Sequence, residues 1–214
     1  MGNNAMIFGD SYSTFEGYVP NGYSVYYSEN IRPETDVNDV TETWWHQVLT
    51  GAQLELVLND SWSGSTIGYT SYNHADCSHS SSFIYRLRQL IAQGFFKQQE
   101  IHSVFVFGGT NDSWSDAPLG VIEGDAFEEK DLYCVLPAIA YFFQLLRETL
   151  PQAAIYCLIN DELKPEIVET MTAVCQKQGI TAIALEQIDK RCGHPTVKGM
   201  NTIADTVLTV LKRT

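Results

Sequence analysis

The sequence predicts a three-layer α/β/α sandwich around a five-stranded parallel sheet. Three observations carry that expectation. Five short apolar runs recur along the 214 residues, and each is followed by a longer segment of helical period. Hydrophobic residues make up 44% and charged residues 18%, enough apolar surface for one substantial core. Right-handed crossovers between parallel strands then place helices on both faces of the sheet. One domain over residues 1–214 is the expected organisation, with no internal repeat and no low-complexity linker.

The elements follow in order. The run Ala5 to Phe8 is the first strand, and a helix is expected from Thr43 to Leu49. Leu54 to Leu58 is the second strand, with its helix from Ser82 to Gln93. Val104 to Phe107 is the third strand, followed by the longest periodic segment, Leu132 to Thr149. Ala154 to Ile159 and the helix Pro165 to Gln178 form the fourth unit; Thr181 to Leu185 and Val197 to Lys212 form the fifth. The expected strand order is the flavodoxin-like 2-1-3-4-5, in which ligands bind at the carboxyl ends of the strands beside the point where the order reverses.

Two connections are long: Ser13 to Glu42 and Ser61 to Ser81. Connections in this class usually run about 2 to 6 residues, so longer ones serve as lids or pocket walls. They carry Tyr18, Tyr23, Tyr26, Tyr27, Trp62, Tyr69 and Tyr72, which either pack the loops onto the body or contact a substrate.

Charge narrows the partners. Thirteen Lys plus Arg against 26 Asp plus Glu give a formal charge of -13, with no basic cluster. A nucleic-acid partner is therefore not expected, and a neutral small molecule fits better than a polyanion. No apolar stretch approaches the roughly 20 residues that span a bilayer. The opening Met1-Gly2-Asn3-Asn4 runs directly into the first strand without a signal-peptide pattern, which predicts a cytoplasmic protein. Cys77, Cys134, Cys157, Cys175 and Cys192 are odd in number and scattered, as expected of free thiols in a reducing compartment.

The chemistry-bearing residues lie at the predicted strand ends. The first strand ends in Phe8-Gly9-Asp10-Ser11, where Asp10 or Ser11 alone would read as an ordinary turn cap. After the second strand comes Asn59-Asp60-Ser61-Trp62-Ser63-Gly64, whose Gly64 lets backbone approach a ligand. After the third comes Gly108-Gly109-Thr110-Asn111-Asp112, and before the last helix Gly193-His194-Pro195. His74, Asp76, Cys77 and His79 include possible zinc ligands, but their spacing matches no zinc motif. No metal or organic cofactor is expected.

With Gly9-Asp10-Ser11, Gly64, Gly109-Thr110-Asn111-Asp112 and His194-Pro195 in this order, the sequence resembles the SGNH hydrolases, the GDSL-type esterases and lipases. The resemblance implies that Ser11 is the nucleophile and His194 its base. It further implies an oxyanion hole made by the backbone N–H groups of Ser11 and Gly64 and the amide of Asn111. One position departs from the family pattern: where an Asp usually lies three residues before the His, this chain has Arg191. Asp189 is five residues before His194, and an extended chain advances about 3.3 Å per residue, so Asp189 reaches the imidazole only if the loop curls back. Either Asp189 orients His194, or a backbone carbonyl does so and the site works as a dyad; the dyad is the favoured expectation. The expected activity is hydrolysis of a small acyl ester, with an acylated carbohydrate or other small neutral ester as substrate. The alternatives are a thioesterase or transacylase using the same pair, or a relative that binds ligand without turnover.

Overall fold

The computed structural model describes residues 2–213; Met1 and Thr214, the two ends of the expected 1–214 domain, lie outside the described residues. In chain order the elements are β1 (Asn4–Gly9), α1 (Trp44–Ala52), β2 (Glu55–Ser61), α2 (Phe83–Ala92), α3 (Phe95–Gln98), β3 (Ser103–Phe107) and α4 (Thr110–Trp114). They continue with α5 (Val135–Thr149), β4 (Ala154–Ile159), α6 (Pro165–Gln178), β5 (Thr181–Ala184), β6 (Lys190–Arg191), β7 (His194–Pro195) and α7 (Val197–Leu211). The main sheet is parallel throughout in the order β2-β1-β3-β4-β5, as the sequence predicts.

Side-chain alternation makes the three layers. Met6, Phe8, Val104, Val106, Ile155 and Cys157 share one core with Ile84 and Leu87 of α2, Phe142 and Phe143 of α5 and Met171 of α6. Ala5, Ile7, Phe105, Phe107, Tyr156 and Leu158 point the other way, into a core with Trp44, Trp45 and Val48 of α1 and Ile203 and Val207 of α7. Each buried Val, Leu, Ile, Phe or Met among them contributes about 1.5–3 kcal/mol relative to exposure. β1, β3 and β4 are buried on both faces and read as continuous apolar runs, which is why they matched their sequence ranges so closely; the edge strand β5 matched as well, although Ala182 and Ala184 are exposed.

The exceptions have physical causes. β2 runs three residues past Leu58, through Asn59, Asp60 and Ser61, which pair with Ile7, Phe8 and Gly9 of β1. These polar residues are buried because each has a partner: Asn59 donates to Ser13 O at 2.9 Å, and Asp60 meets Arg86 at 2.9 Å. The helix expected from Leu132 begins at Val135, because Pro137 must fall in the first turn and Glu129–Tyr133 forms a 3₁₀ turn instead. Thr43, Ser82 and Thr196 cap α1, α2 and α7 with their hydroxyl oxygens.

All five cysteines are free; Cys77, Cys157 and Cys175 are buried and Cys192 is exposed. Among the described residues no helix is long and apolar enough to cross a membrane.

Candidate active site

The sheet order 2-1-3 puts the carboxyl ends of β1, β2 and β3 side by side, and the loops that leave them build one site. β1 runs into a 3₁₀ turn, Ser11–Ser13, capped by Asp10, whose Oδ1 accepts the Tyr12 N–H at 3.0 Å. Ser11 is thereby presented just beyond the sheet, 4% exposed. α4 starts at Gly109, which adopts φ 90° and so turns the chain at once from β3 into a helix carrying Asn111 and Asp112.

His194 arrives from the other end of the chain. It sits on the β6–β7 hairpin, where Arg191 pairs with His194 across a two-residue turn, Cys192-Gly193. Both turn residues have positive φ, 49° and 76°, as a type I′ turn requires. His194 Nε2 lies 3.0 Å from Ser11 Oγ, and Nδ1 lies 3.0 Å from the Cys192 carbonyl oxygen. A carbonyl can only accept, so Nδ1 carries the proton and Nε2 presents its lone pair to the Ser11 hydroxyl.

The hairpin is held on three sides. Tyr12 OH donates to Gly193 O at 2.6 Å and Tyr27 OH donates to Pro195 O at 2.9 Å. At its base, Lys190 Nζ donates to Asn160 Oδ1 at 3.0 Å, Asp161 Oδ1 at 2.6 Å and Glu162 Oε2 at 2.9 Å, just past the end of β4. Asp189 is not brought to His194. Its carboxylate accepts from the hydroxyl of Thr196, the cap of α7, and its carbonyl accepts the Thr196 N–H at 3.0 Å. Arg191, at the usual position of the family acid, is exposed.

Asn111 meets the other two loops. Its Nδ2 donates to Ser65 O at 2.9 Å and, more weakly, to Asp10 Oδ2 at 3.4 Å. Ser65 O only accepts, so the amide must face it with nitrogen, and Oδ1 then receives the Tyr72 hydroxyl at 2.8 Å. Gly64 has φ 81°, and the N–H groups of Ser11 and Gly64 have no acceptor among the described residues. Asp112 accepts the N–H groups of Ile67 at 2.9 Å and Gly68 at 3.2 Å, fixing the loop that follows Gly64.

Burial dominates the electrostatics. It pushes the Asp10 carboxyl up to about 7 and that of Asp112 up to about 6. His194 is held below its ordinary 6.5, first by burial and then by the charge of Arg32, against an opposite pull from the Cys192 carbonyl.

Sequence reasoning singled out Ser11, Gly64, Asn111 and His194 but missed Arg86. From α2 this buried side chain donates to the carbonyl and carboxylate of Asp60, to Gly9 O and Ser65 Oγ, each at 3.3 Å, and to Ser81 O at 2.9 Å. It ties the ends of β1 and β2 to the Gly64 loop. An arginine inside the apolar stripe Phe83, Ile84, Leu87 was the available signal. Of the loop aromatics, Tyr27 and Tyr69 pack inward, Tyr23 lies on Trp62 at 4.3 Å, and Tyr26 and Tyr72 reach the site itself. Among the described residues, His74, Asp76, Cys77 and His79 do not gather into a group that could hold a metal; Asp76 accepts the Ser78 N–H and the Tyr133 hydroxyl, and His79 packs edge-on against Tyr85.

The sequence profile of the GDSL-like lipase/acylhydrolase family matches residues 3–211. The chain belongs to that family. As a GDSL-like acylhydrolase it is a hydrolase of ester bonds, and its structure is similar to two from Bacteroides. One is a GDSL-like lipase candidate from Bacteroides ovatus ATCC 8483, 39% identical, TM-score 0.91, with 100% of both chains covered. The other, from Bacteroides uniformis ATCC 8492, is 38% identical, TM-score 0.91, covering 100% of this chain and 97% of that one. The fold is shared with an acetyl xylan esterase from the rumen bacterium Butyrivibrio proteoclasticus at 17% identity and TM-score 0.62, covering 99% of this chain and 63% of that one. No protein of curated function matches the chain significantly.

Proposed function

We propose that this GDSL-like acylhydrolase cleaves small acyl esters of carbohydrates through an acyl-enzyme on Ser11. The observation that carries the reading is the 3.0 Å contact between Ser11 Oγ and the unprotonated Nε2 of His194. A serine hydroxyl is a weak nucleophile unless its proton leaves as the new bond forms. His194 takes that proton while Oγ attacks the ester carbonyl, and returns it to the alcohol oxygen as the ester C–O bond breaks. Water then attacks the acyl-enzyme by the same route in reverse. The oxyanion is received by the N–H groups of Ser11 and Gly64 and by Asn111 Nδ2, which gives up its long contact to Asp10.

Carbohydrate is favoured by the rim of the site. Trp114, 41% exposed, packs its edge toward His194 at 6.3 Å, and Tyr72, 38% exposed, touches Asn111, so flat apolar faces stand beside the reacting groups. The neighbour that shares the fold, an acetyl xylan esterase, acts on a carbohydrate ester, which supports the same class. A fluorophosphonate probe is expected to label wild-type protein at Ser11. Acetylated xylo-oligosaccharides and p-nitrophenyl acetate are expected to be cleaved faster than p-nitrophenyl esters of about eight or more carbons, as a small acyl pocket requires. Absence of labelling refutes the nucleophile, and preference for long acyl chains refutes the substrate class.

The orienting group of His194 has its own test. Because a backbone carbonyl receives Nδ1–H while Asp189 caps Thr196, Asp189→Asn is expected to cost less than about tenfold in kcat, where loss of an orienting acid costs about 10,000-fold. A kcat loss for Asp189→Asn as deep as that for His194→Ala, with folding unchanged, would mean that Asp189 completes a triad.

A further inference from the structure

The dyad leaves one mechanical problem. A single hydrogen bond from Nδ1–H to the Cys192 carbonyl fixes the direction of that bond but lets the ring tilt about it, and a neutral acceptor does less than a carboxylate for a developing imidazolium. The geometry points to Tyr26 as the positioning residue that meets both needs: stacked flat on His194, it holds the imidazole plane that aims Nε2 at Ser11, and its π face receives the positive charge. This rests on the Ser11–His194 reading given above.

The two rings are 3.5 Å apart between centroids and 6° from parallel. Tyr12 at 5.5 Å and Trp114 at 6.3 Å close on the imidazole edge-on, so the flat contact belongs to Tyr26. Tyr26 is itself anchored: its N–H donates to Thr14 Oγ1 at 2.9 Å, and its carbonyl accepts from the guanidinium of Arg32. The next residue, Tyr27, is fully buried and holds Pro195. The guanidinium of Arg32 also lies over the Tyr26 ring, 5.1 Å from its centroid. The stack His194, Tyr26, Arg32 thus runs from the site into the first long loop. A cation over an aromatic face is attracted by the ring quadrupole, so an imidazolium formed against Tyr26 is favoured. Arg32 acts in the opposite sense on the resting state, disfavouring protonation and keeping His194 a base into mildly acidic solution.

The titratable and charged groups around His194 are Ser11 and Tyr12 from the turn after β1, Tyr26 and Arg32 from the first loop, and Arg191 and Cys192 from its own hairpin; α4 contributes the uncharged Trp114. Of these, Arg32 is the cation that depresses His194.

The test is steady-state hydrolysis of p-nitrophenyl acetate by wild type, Tyr26→Leu, Tyr26→Phe and Arg32→Met, with thermal unfolding to check the fold. Tyr26→Leu is expected to lower kcat by about tenfold to a hundredfold, the scale of a misaligned catalytic group, with KM little changed. Tyr26→Phe keeps the ring and is expected to recover most of that loss, since the hydroxyl reaches only Glu34 O at 3.5 Å. In the pH profile of kcat/KM the acid limb of wild type is expected below 6.5, and Arg32→Met moves it upward. The inference is overturned if Tyr26→Leu keeps wild-type kcat or if Tyr26→Phe falls as far as Tyr26→Leu. Should Tyr26→Leu not fold, Tyr26→Met, which fills similar space without an aromatic face, is measured in its place, and wild-type kcat in that variant overturns the inference. Fluorophosphonate labelling of wild type separates the two failures: without it the Ser11–His194 reading falls, and with it only the role of Tyr26 does.

Discussion

Ser11→Ala is expected to abolish ester hydrolysis while leaving the fold intact. Among the described residues the Ser11 hydroxyl makes one side-chain hydrogen bond, to His194 Nε2, and the backbone bonds of its turn, Ser13 N–H to Asp10 O and Thr14 N–H to Ser11 O, do not involve it. Stability should therefore change by no more than about 1 kcal/mol, the net worth of one hydrogen bond. Losing the nucleophile of an activated serine removes on the order of a million-fold in kcat, and losing the base is comparable because the two act as a unit. His194→Ala should therefore match Ser11→Ala, and the double variant should be no worse than either. Wild-type rates from a folded Ser11→Ala protein, or strictly multiplicative losses in the double variant, would refute the assignment.

Asn111→Ala is expected to lower kcat by about 100- to 1,000-fold with a much smaller change in KM, the signature of the oxyanion donor proposed for its amide. The substitution also removes contacts to Ser65 O and from Tyr72, so thermal unfolding belongs beside the kinetics. A variant that loses substrate affinity alone would make Asn111 a binding residue and place the oxyanion donors elsewhere.

The sheet was legible because its central strands β1, β3 and β4 are buried on both faces and all five are punctuated by polar loops, so period and length sufficed. The end of β2 was not, because Asn59, Asp60 and Ser61 look like loop until the burial partners Ser13 and Arg86 are known. Ser11, Gly64, Asn111 and His194 stood out because four blocks in order at strand ends form a pattern. The turn that carries His194 did not: its strands are two residues each, and Cys192 in the left-handed region lacks the Asn or Asp that usually marks such a turn. Nor could any local pattern reveal that Tyr26 lies flat on His194, because stacking between a loop near one end of the chain and a hairpin near the other is set only by tertiary packing.

Delegating the alignment of His194 to the Cys192 carbonyl changes what inherited variation can reach. A carboxylate helper is lost by one codon change at one position; a main-chain oxygen survives every substitution that preserves the turn. Vulnerability moves to turn geometry instead, above all to Gly193, whose φ of 76° disfavours any side chain and where an added Cβ would meet the Trp114 ring at 3.0 Å. In a lineage of such enzymes, silencing would then be written at a glycine and not at an acid.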